Sequence, residues 1–356
     1  MLTYDSNPLT GSEFGDAVGK RFGTSYPTRD GRTVDSTGAF LVGELERLDP
    51  KLHEPLAAVT WGRDIDLRED VTIADEITSF TLSSYGAVGG LGSGNSIGNG
   101  KSWIGKNSDQ IGGIGLDIAK IPHQLRPWGM ELKFTILELE SAARLGRPID
   151  VQKYKGLQLK HQMDTDEQVY IGDTGFGDTG LLNNSLVTNV NNVVAGASGY
   201  TQWAQKSADE ILADVNSALT SVWTASAFAV IPSRLLLPPN LFGYISTAKV
   251  SQAGNVSILR YIMENNLLTT SGRGKLDIFP VKWCIGAGVG GTIGTLGTVD
   301  RMVIYTKDED RVRFPMTLLQ RTPIQYESIY HKTTYFGRLG IVEVVYPETL
   351  GYFDGI

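Results

Sequence analysis

Residues 92–102 read GSGNSIGNGKS, and the closing Gly-Lys-Ser is how a phosphate-binding loop ends. Such a loop holds a nucleotide with backbone N–H groups and a lysine where a helix begins. The motif needs a glycine at position 95, which is Asn95, and a helix after Lys101, where Gly105, Gly112, Gly113 and Gly115 fall instead. Each helical glycine costs about 1 kcal/mol relative to alanine, so no helix is expected to start there. The same stretch contains Gly94-Asn95-Ser96-Ile97-Gly98, the pattern of a serine-hydrolase nucleophile elbow, which requires a strand before the serine and a helix after it. Neither flank is present. A third pattern, IGAGVGG at Ile285 to Gly291, fits a dinucleotide fingerprint after the apolar run IFPVKWCI, but TIGTLGT follows in place of a helix. In a chain with 42 glycines composition alone produces such matches. A nucleotide-binding or serine-hydrolase enzyme is therefore a distant alternative, and no catalytic or cofactor-binding residue is assigned. Asp173 and Asp178 lack the spacing of an EF-hand loop. With one cysteine, Cys284, and four dispersed histidines, His53, His123, His161 and His331, no metal site and no internal disulfide are expected.

The chain that must position these residues has 356 of them, more than one core usually supports, so two packed units are expected. Acidic residues exceed basic ones, 39 to 32, for a net charge of −7, which argues against a general DNA- or membrane-binding surface while allowing a wall that faces DNA without adhering to it. The start MLTYDSNPLTGSEF lacks the form of a signal peptide, and no apolar run approaches a membrane span. A soluble protein assembled in the cytoplasm is the expectation.

Residues 1–37 are polar and without period, which reads as an extended arm; a short amphipathic helix follows in GAFLVGELERLDP and stops at Pro50. Alternation around Val71 and Ile73, around Phe80 and Leu82, and again in GMELKFT predicts strands. Between them 11 of the 30 residues from Gly86 to Gly115 are glycine, too few side chains for a core, and the length marks a functional loop. Thr135 and Glu138 are spaced as a capping box opening a helix that Gly146 ends, and a second helix runs from Pro148 to about Tyr170 with a narrow apolar stripe that includes Val151, Tyr154, Leu157, Met163 and Val169. The passage GDTGFGDTG then reads as tight turns through Gly172, Asp173, Gly177 and Gly180. Beyond it, Ser207 and Glu210 open an amphipathic helix carrying Ile211, Leu212, Val215, Leu219, Val222 and Trp223. RLLLPP, KLDIFPVKW, DRMVIYT, RVRFPMTLLQ and RLGIVEVVYPETLGYF read as strands, with helices at NLFGYISTA and SILRYIMEN. Trp283 and Cys284 are placed in the core on a strand, and Asp164 and Asp166 on a solvated helix face. The layout is α+β, without the regular alternation of a doubly wound sheet.

This order of parts, with the passage GDTGFGDTGLLN (Gly172 to Asn183) and a C-terminal strand ending Tyr346-Pro347-Glu348, resembles the major capsid proteins of tailed bacteriophages, which have the Hong Kong 97-type capsid fold. The resemblance implies an N-terminal arm with a short helix (1–56), an extended glycine-rich E-loop (79–122), a peripheral domain with a long spine helix (57–78, 123–180 and 313–356) and an axial domain (181–312). It implies a non-enzymatic structural protein that self-assembles into hexamers and pentamers of an icosahedral head around double-stranded DNA, held weakly and without sequence preference. The E-loop residues Gly94, Asn95, Lys101, Trp103 and Lys106 would contact a neighbouring subunit. Some relatives join an E-loop lysine covalently to a neighbour's asparagine; Lys101 and Lys106 are expected to stay ordinary solvated or ion-paired lysines. Scaffolding, portal and decoration proteins are the further partners implied, no cofactor and no membrane is involved, and the product is a virion capsid assembled in the bacterial host cytoplasm. The nearest alternative sharing the fold is an encapsulin-type bacterial nanocompartment shell. A tail or adhesin protein would show tandem repeats, which are absent.

Overall fold

A computed structural model of the chain describes residues 56–88, 113–145, 149–251 and 255–356, and residues 57–356 form one compact unit. The arm, the short helix before Pro50 and the tip of the glycine-rich stretch lie outside the described residues.

The unit is organised around a five-stranded sheet. Its strands are β5 (Val190–Asn192), β6 (Arg234–Leu237), β7 (Asp277–Pro280), β8 (Arg301–Tyr305) and β14 (Leu350–Asp354), in the order β5-β14-β8-β6-β7. Every residue of β6, β8 and β14 is buried, so these strands read as apolar runs without alternation, broken only by the terminal charges Arg234, Arg301 and Asp354. Successive side chains point to opposite faces. Leu235, Leu237, Met302, Ile304 and Phe353 join one core with the helix α4 (Ala208–Ala225), while Leu236, Val303, Tyr305, Leu350 and Tyr352 join a second core with Val169, Tyr170, Leu181 and Phe314. The two expected cores therefore share one wall. That wall takes a central strand, β14, from beyond Val312, where the sequence reading ends its axial segment.

Local signals explain α4 well. Ser207 accepts from Glu210 N and the Glu210 side chain accepts from Ser207 N, completing the capping box, and Ile211, Val215, Leu219 and Val222 fall on the buried face, with Leu212 and Trp223 packed at its edge. The shorter helices α5 (Pro239–Thr247), α6 (Ile258–Asn265) and α7 (Leu267–Thr270) close the same core.

The second core is roofed by a three-stranded sheet of β1 (Asp66–Arg68), β9 (Val312–Pro315) and β13 (Glu343–Val344). A four-stranded sheet sets β4 (Arg126–Thr135) against the whole of β12 (Tyr330–Leu339), whose other edge carries β10 (Gln320–Arg321) and β11 (Gln325–Glu327). The helices α2 (Ile136–Leu145) and α3 (Ile149–Tyr170) follow β4, with the Thr135–Glu138 capping box formed as the spacing predicts.

Three local readings are corrected. Val71 and Ile73 lie in a loop rather than a strand, with Val71 buried as a plug, because the ladder starts only at Ile77. Trp283 and Cys284 belong to a single 3-10 turn (Lys282–Cys284), although Cys284 is buried as expected. Asp166 is not on a solvated face: it is 0% exposed and accepts from Thr60 N (2.8 Å), Trp61 N (3.1 Å) and Trp283 Nε1 (2.7 Å), with Lys282 at 3.4 Å. Its carboxylate thus caps the four-residue helix α1 (Trp61–Asp64), which sequence spacing could not reveal because the partners lie more than a hundred residues apart. Asp164, nearer the surface, accepts from Trp128 Nε1 at 3.0 Å.

Asp166→Ala leaves three N–H donors without their acceptor and is expected to lower stability by roughly 3 kcal/mol or more, read as a shift of the urea midpoint at unchanged slope; Asp166→Asn, which keeps an acceptor, should lose less.

Candidate functional site

The glycine-rich stretch is carried on a long hairpin. Strands β2 (Ile77–Val88) and β3 (Gly113–Gln124) pair antiparallel without interruption from Ile77–Gln124 to Val88–Gly113, and among the described residues they pair with no other strand. Its root is anchored by buried Phe80 and Thr78 and by the Arg68 guanidinium donating to the Ser79 carbonyl. Further out, Ile114, Leu116 and Ile118 follow the period of two along one face of β3 and remain 75%, 57% and 60% exposed. Three large apolar side chains in a row, on a ribbon that has no second layer among the described residues, form a contiguous patch of the kind that marks an interaction surface. Gly94, Asn95, Lys101, Trp103 and Lys106 belong to the segment this ribbon carries and lie outside the described residues.

The long helix α3 begins exposed and ends buried. Val151, Tyr154 and Met163 are exposed, whereas Leu157 and Val169 are buried, so the stripe drawn from sequence splits between core and surface. Tyr154 lies against Tyr335 of β12, ring centroids 5.4 Å apart, and Lys153 Nζ reaches the Lys133 carbonyl on β4. This fixes the helix to one face of the four-stranded sheet. His161 is likewise a packing residue: it meets Trp128 edge-on at 4.7 Å, and burial pushes its imidazole below the usual histidine range.

After Tyr170 the chain turns back on itself. Leu181 N and Leu182 N donate to the carbonyls of Val169 and Tyr170, and Asn183 bridges the two limbs by accepting from Gly180 N and donating to Ile171 O. Gly172 has φ +76°, and a Cβ there would lie 2.6 Å from the Asp178 carbonyl oxygen, so two independent constraints require glycine. Asp173 accepts from Gly175 N within the turn. The sequence reading passed over the partner that holds this turn in place: Arg126, at the start of β4, forks onto Asp178 at 2.6 and 2.8 Å and stacks on Phe176 at 4.0 Å. The guanidinium beside Asp178 holds its carboxyl below the usual range. A cavity of about 400 Å³ lies between turn and sheet, lined by Arg126, Trp128, Asp164, Glu167 and Phe176 among others; no histidine, cysteine or serine lines it.

The remaining motifs resolve simply. The IGAGVGG run opens into successive turns where a dinucleotide site needs a helix, with Gly286 N bound to buried Asp300. Among the described residues no group of three or more metal-ligating side chains occurs, and no helix is long and apolar enough to cross a membrane. Sequence reasoning also missed β12. Its YHKTTYF run is rich in β-branched and aromatic residues, a usable signal, but both faces are partly exposed at this end of the sheet, so no apolar alternation marks it.

A shared double-faced sheet, a half-exposed long helix and a projecting hairpin together make the fold that of phage capsid proteins. The chain is similar to the capsid of Myoviridae phage XM1 (TM-score 0.66, 15% identity, covering 88% of this chain and 98% of that one), to a chain of Mycobacterium phage Adephagia (0.54, 10%, 90% and 98%) and to one of Mycobacterium phage Che8 (0.51, 12%, 86% and 96%). Residues 100–356 match the major capsid protein family, and the chain belongs to that family. Comparison of the sequence with curated proteins returns no match.

Gly172→Ala is expected to destabilise the fold by about 1–3 kcal/mol through backbone strain alone, measured as a fall in Tm. The Arg126–Asp178 pair stabilises the folded chain above the ordinary carboxyl value of 3.8 and is lost as pH falls through the lowered one. Arg126→Met should therefore weaken the protein at neutral pH while making its stability less sensitive to acid below about pH 4, a comparison made by urea unfolding across that range.

Proposed function

We propose that this chain, a structural component of a virion, self-assembles into the hexamers and pentamers of an icosahedral head that encloses double-stranded DNA. The β2–β3 hairpin with residues 89–112 is the E-loop, and Lys101, Trp103 and Lys106, with Gly94 and Asn95, contact the neighbouring subunit. Helix α3, through Val151, Tyr154, Leu157 and Met163, is the spine of the peripheral domain, closed by the turn at Gly172, Asp173, Gly177 and Gly180. Residues 181–312 supply the axial domain. The observation that carries this reading is the hairpin itself, whose row of Ile114, Leu116 and Ile118 is exposed and covered by nothing among the described residues. Contacts made by an arm of one copy on a different surface of the next are heterologous, and such contacts close into rings. The net charge of −7 suits weak, sequence-independent contact with packaged DNA. The chain acts without cofactor and without catalysis, and assembly takes place in the host cytoplasm with scaffolding, portal and decoration proteins as further partners. An encapsulin-type shell is not favoured, since the family match is to major capsid proteins.

Replacing Ile114, Leu116 and Ile118 together by serine is expected to abolish particles and rings in light scattering and negative-stain microscopy while leaving Tm and far-UV circular dichroism unchanged. Particles of normal size from that variant, or from a chain lacking residues 89–112, would remove the hairpin from assembly.

A further inference from the structure

The hairpin root contains an arrangement that a purely mechanical attachment does not need. Thr78 and His123 stand opposite each other in the β2–β3 ladder, so their side chains share a face and lie about 5 Å apart at Cβ. Each carries a buried polar atom with no hydrogen-bonding protein group, Thr78 Oγ1 and His123 Nε2. The imidazole stacks on Phe80 of β2, centroids 5.7 Å apart and planes inclined by 25°.

Charge reaches the ring from neighbouring strands. Glu343 on β13 attracts a proton to the imidazole, but this carboxylate is itself fully buried and already accepts from Arg68 Nη1 of β1 (3.1 and 3.2 Å) and Arg313 Nε of β9 (2.8 Å). Arg68 also binds exposed Asp70 and donates to the Ser79 carbonyl on β2. Arg338 of β12 donates to the carbonyls of Ile73 and Leu125, which flank the two ends of the hairpin. One buried carboxylate is thus shared by two guanidiniums before the histidine is considered, with a third close to the root. Burial outweighs Glu343 and holds His123 below the usual histidine range. A proton on the ring would place a charge in a buried site and, on Nε2, an N–H for which no protein acceptor is in place.

We propose that Thr78 and His123 form a proton-sensitive hinge, which fastens the hairpin to the body while the imidazole is neutral and loosens it when the imidazole is charged. The sign follows from linkage. A histidine that is harder to protonate in the fastened state stabilises that state above its ordinary value, about 6.5, and the stabilisation is lost as pH falls below it. The inference concerns how the hairpin is attached and holds whatever surface the hairpin touches.

Hydrogen exchange of the full-length protein, followed by mass spectrometry at about pH 7.5 and about pH 5.5, on either side of the ordinary histidine value, tests it after correction for intrinsic exchange rates. Peptides covering 77–82 and 119–124 are expected to lose protection several-fold at the lower pH, while those of β6, β8 and β14 keep theirs. His123→Phe, which retains the ring stack and takes up no proton, should show no such loss. An equal loss in the variant, or none in the parent chain, overturns the hinge. Should His123→Phe fail to fold, NMR titration of the His123 ring in the parent chain decides: a midpoint below the ordinary histidine value supports the hinge, and one at or above it overturns it.

Discussion

A sheet buried on both sides leaves its strands no freedom of composition, and the rest of this structure depends on that constraint. The large apolar residues of β6, β8 and β14 face one core or the other in alternation, so a shift of register by one residue would exchange the contents of both. Leu236 and Leu237 are neighbours in sequence yet pack in different cores. A displacement of the sheet is therefore felt simultaneously by the helices around α4 on one side and by the end of α3 on the other. The strands bind these two regions into a single compact unit.

Buried carboxylates complete what the sheet begins. Asp64 receives Arg63, Arg234 and the Tyr170 hydroxyl; Asp354 receives Arg301 in a two-bond fork; Glu343 receives Arg68 and Arg313; Asp166 receives two backbone N–H groups and an indole. Each joins segments remote in sequence, and each charge is met by several donors, the condition under which a buried ion is tolerated. Several of these acids fasten the chain between Thr60 and Arg68 to the main body. Part of the acidic surplus in the composition thus serves internal fastening.

How much of this was legible in the sequence depended on whether a residue's partner was local. The strand expected at GMELKFT forms, but it pairs with β12, and the partner of β2 is β3, for which no strand was expected. The capping boxes at Thr135 and Ser207, the apolar face of α4, the turn glycines and the strand around Phe80 and Leu82 all follow from neighbours within a few positions, and they were readable. Asp166, Arg126 and β12 were not. The acid's partners are 105 and more residues away, the arginine's aspartate is 52 away, and β12 owes its existence to ten residues of pairing with β4 rather than to any alternation of its own. The stripe on α3 was half legible: its spacing identified a helix, but sequence could not say that Val151 and Met163 would stay outside while Leu157 went in. Among the candidate contact residues, the five on the glycine-rich tip rest on composition and resemblance, whereas the exposed row on β3 emerged only from the fold.

That row has a cost during the life of the free subunit. A two-stranded ribbon whose edges pair with no other strand among the described residues, with isoleucine and leucine turned to water, is a template for pairing with any other unprotected strand. Newly made chains therefore face two competing fates as their concentration rises, ordered addition to a growing structure or sideways association into aggregates. Solubility in the cell then becomes a matter of kinetics, governed by how quickly each newly synthesised copy finds its place.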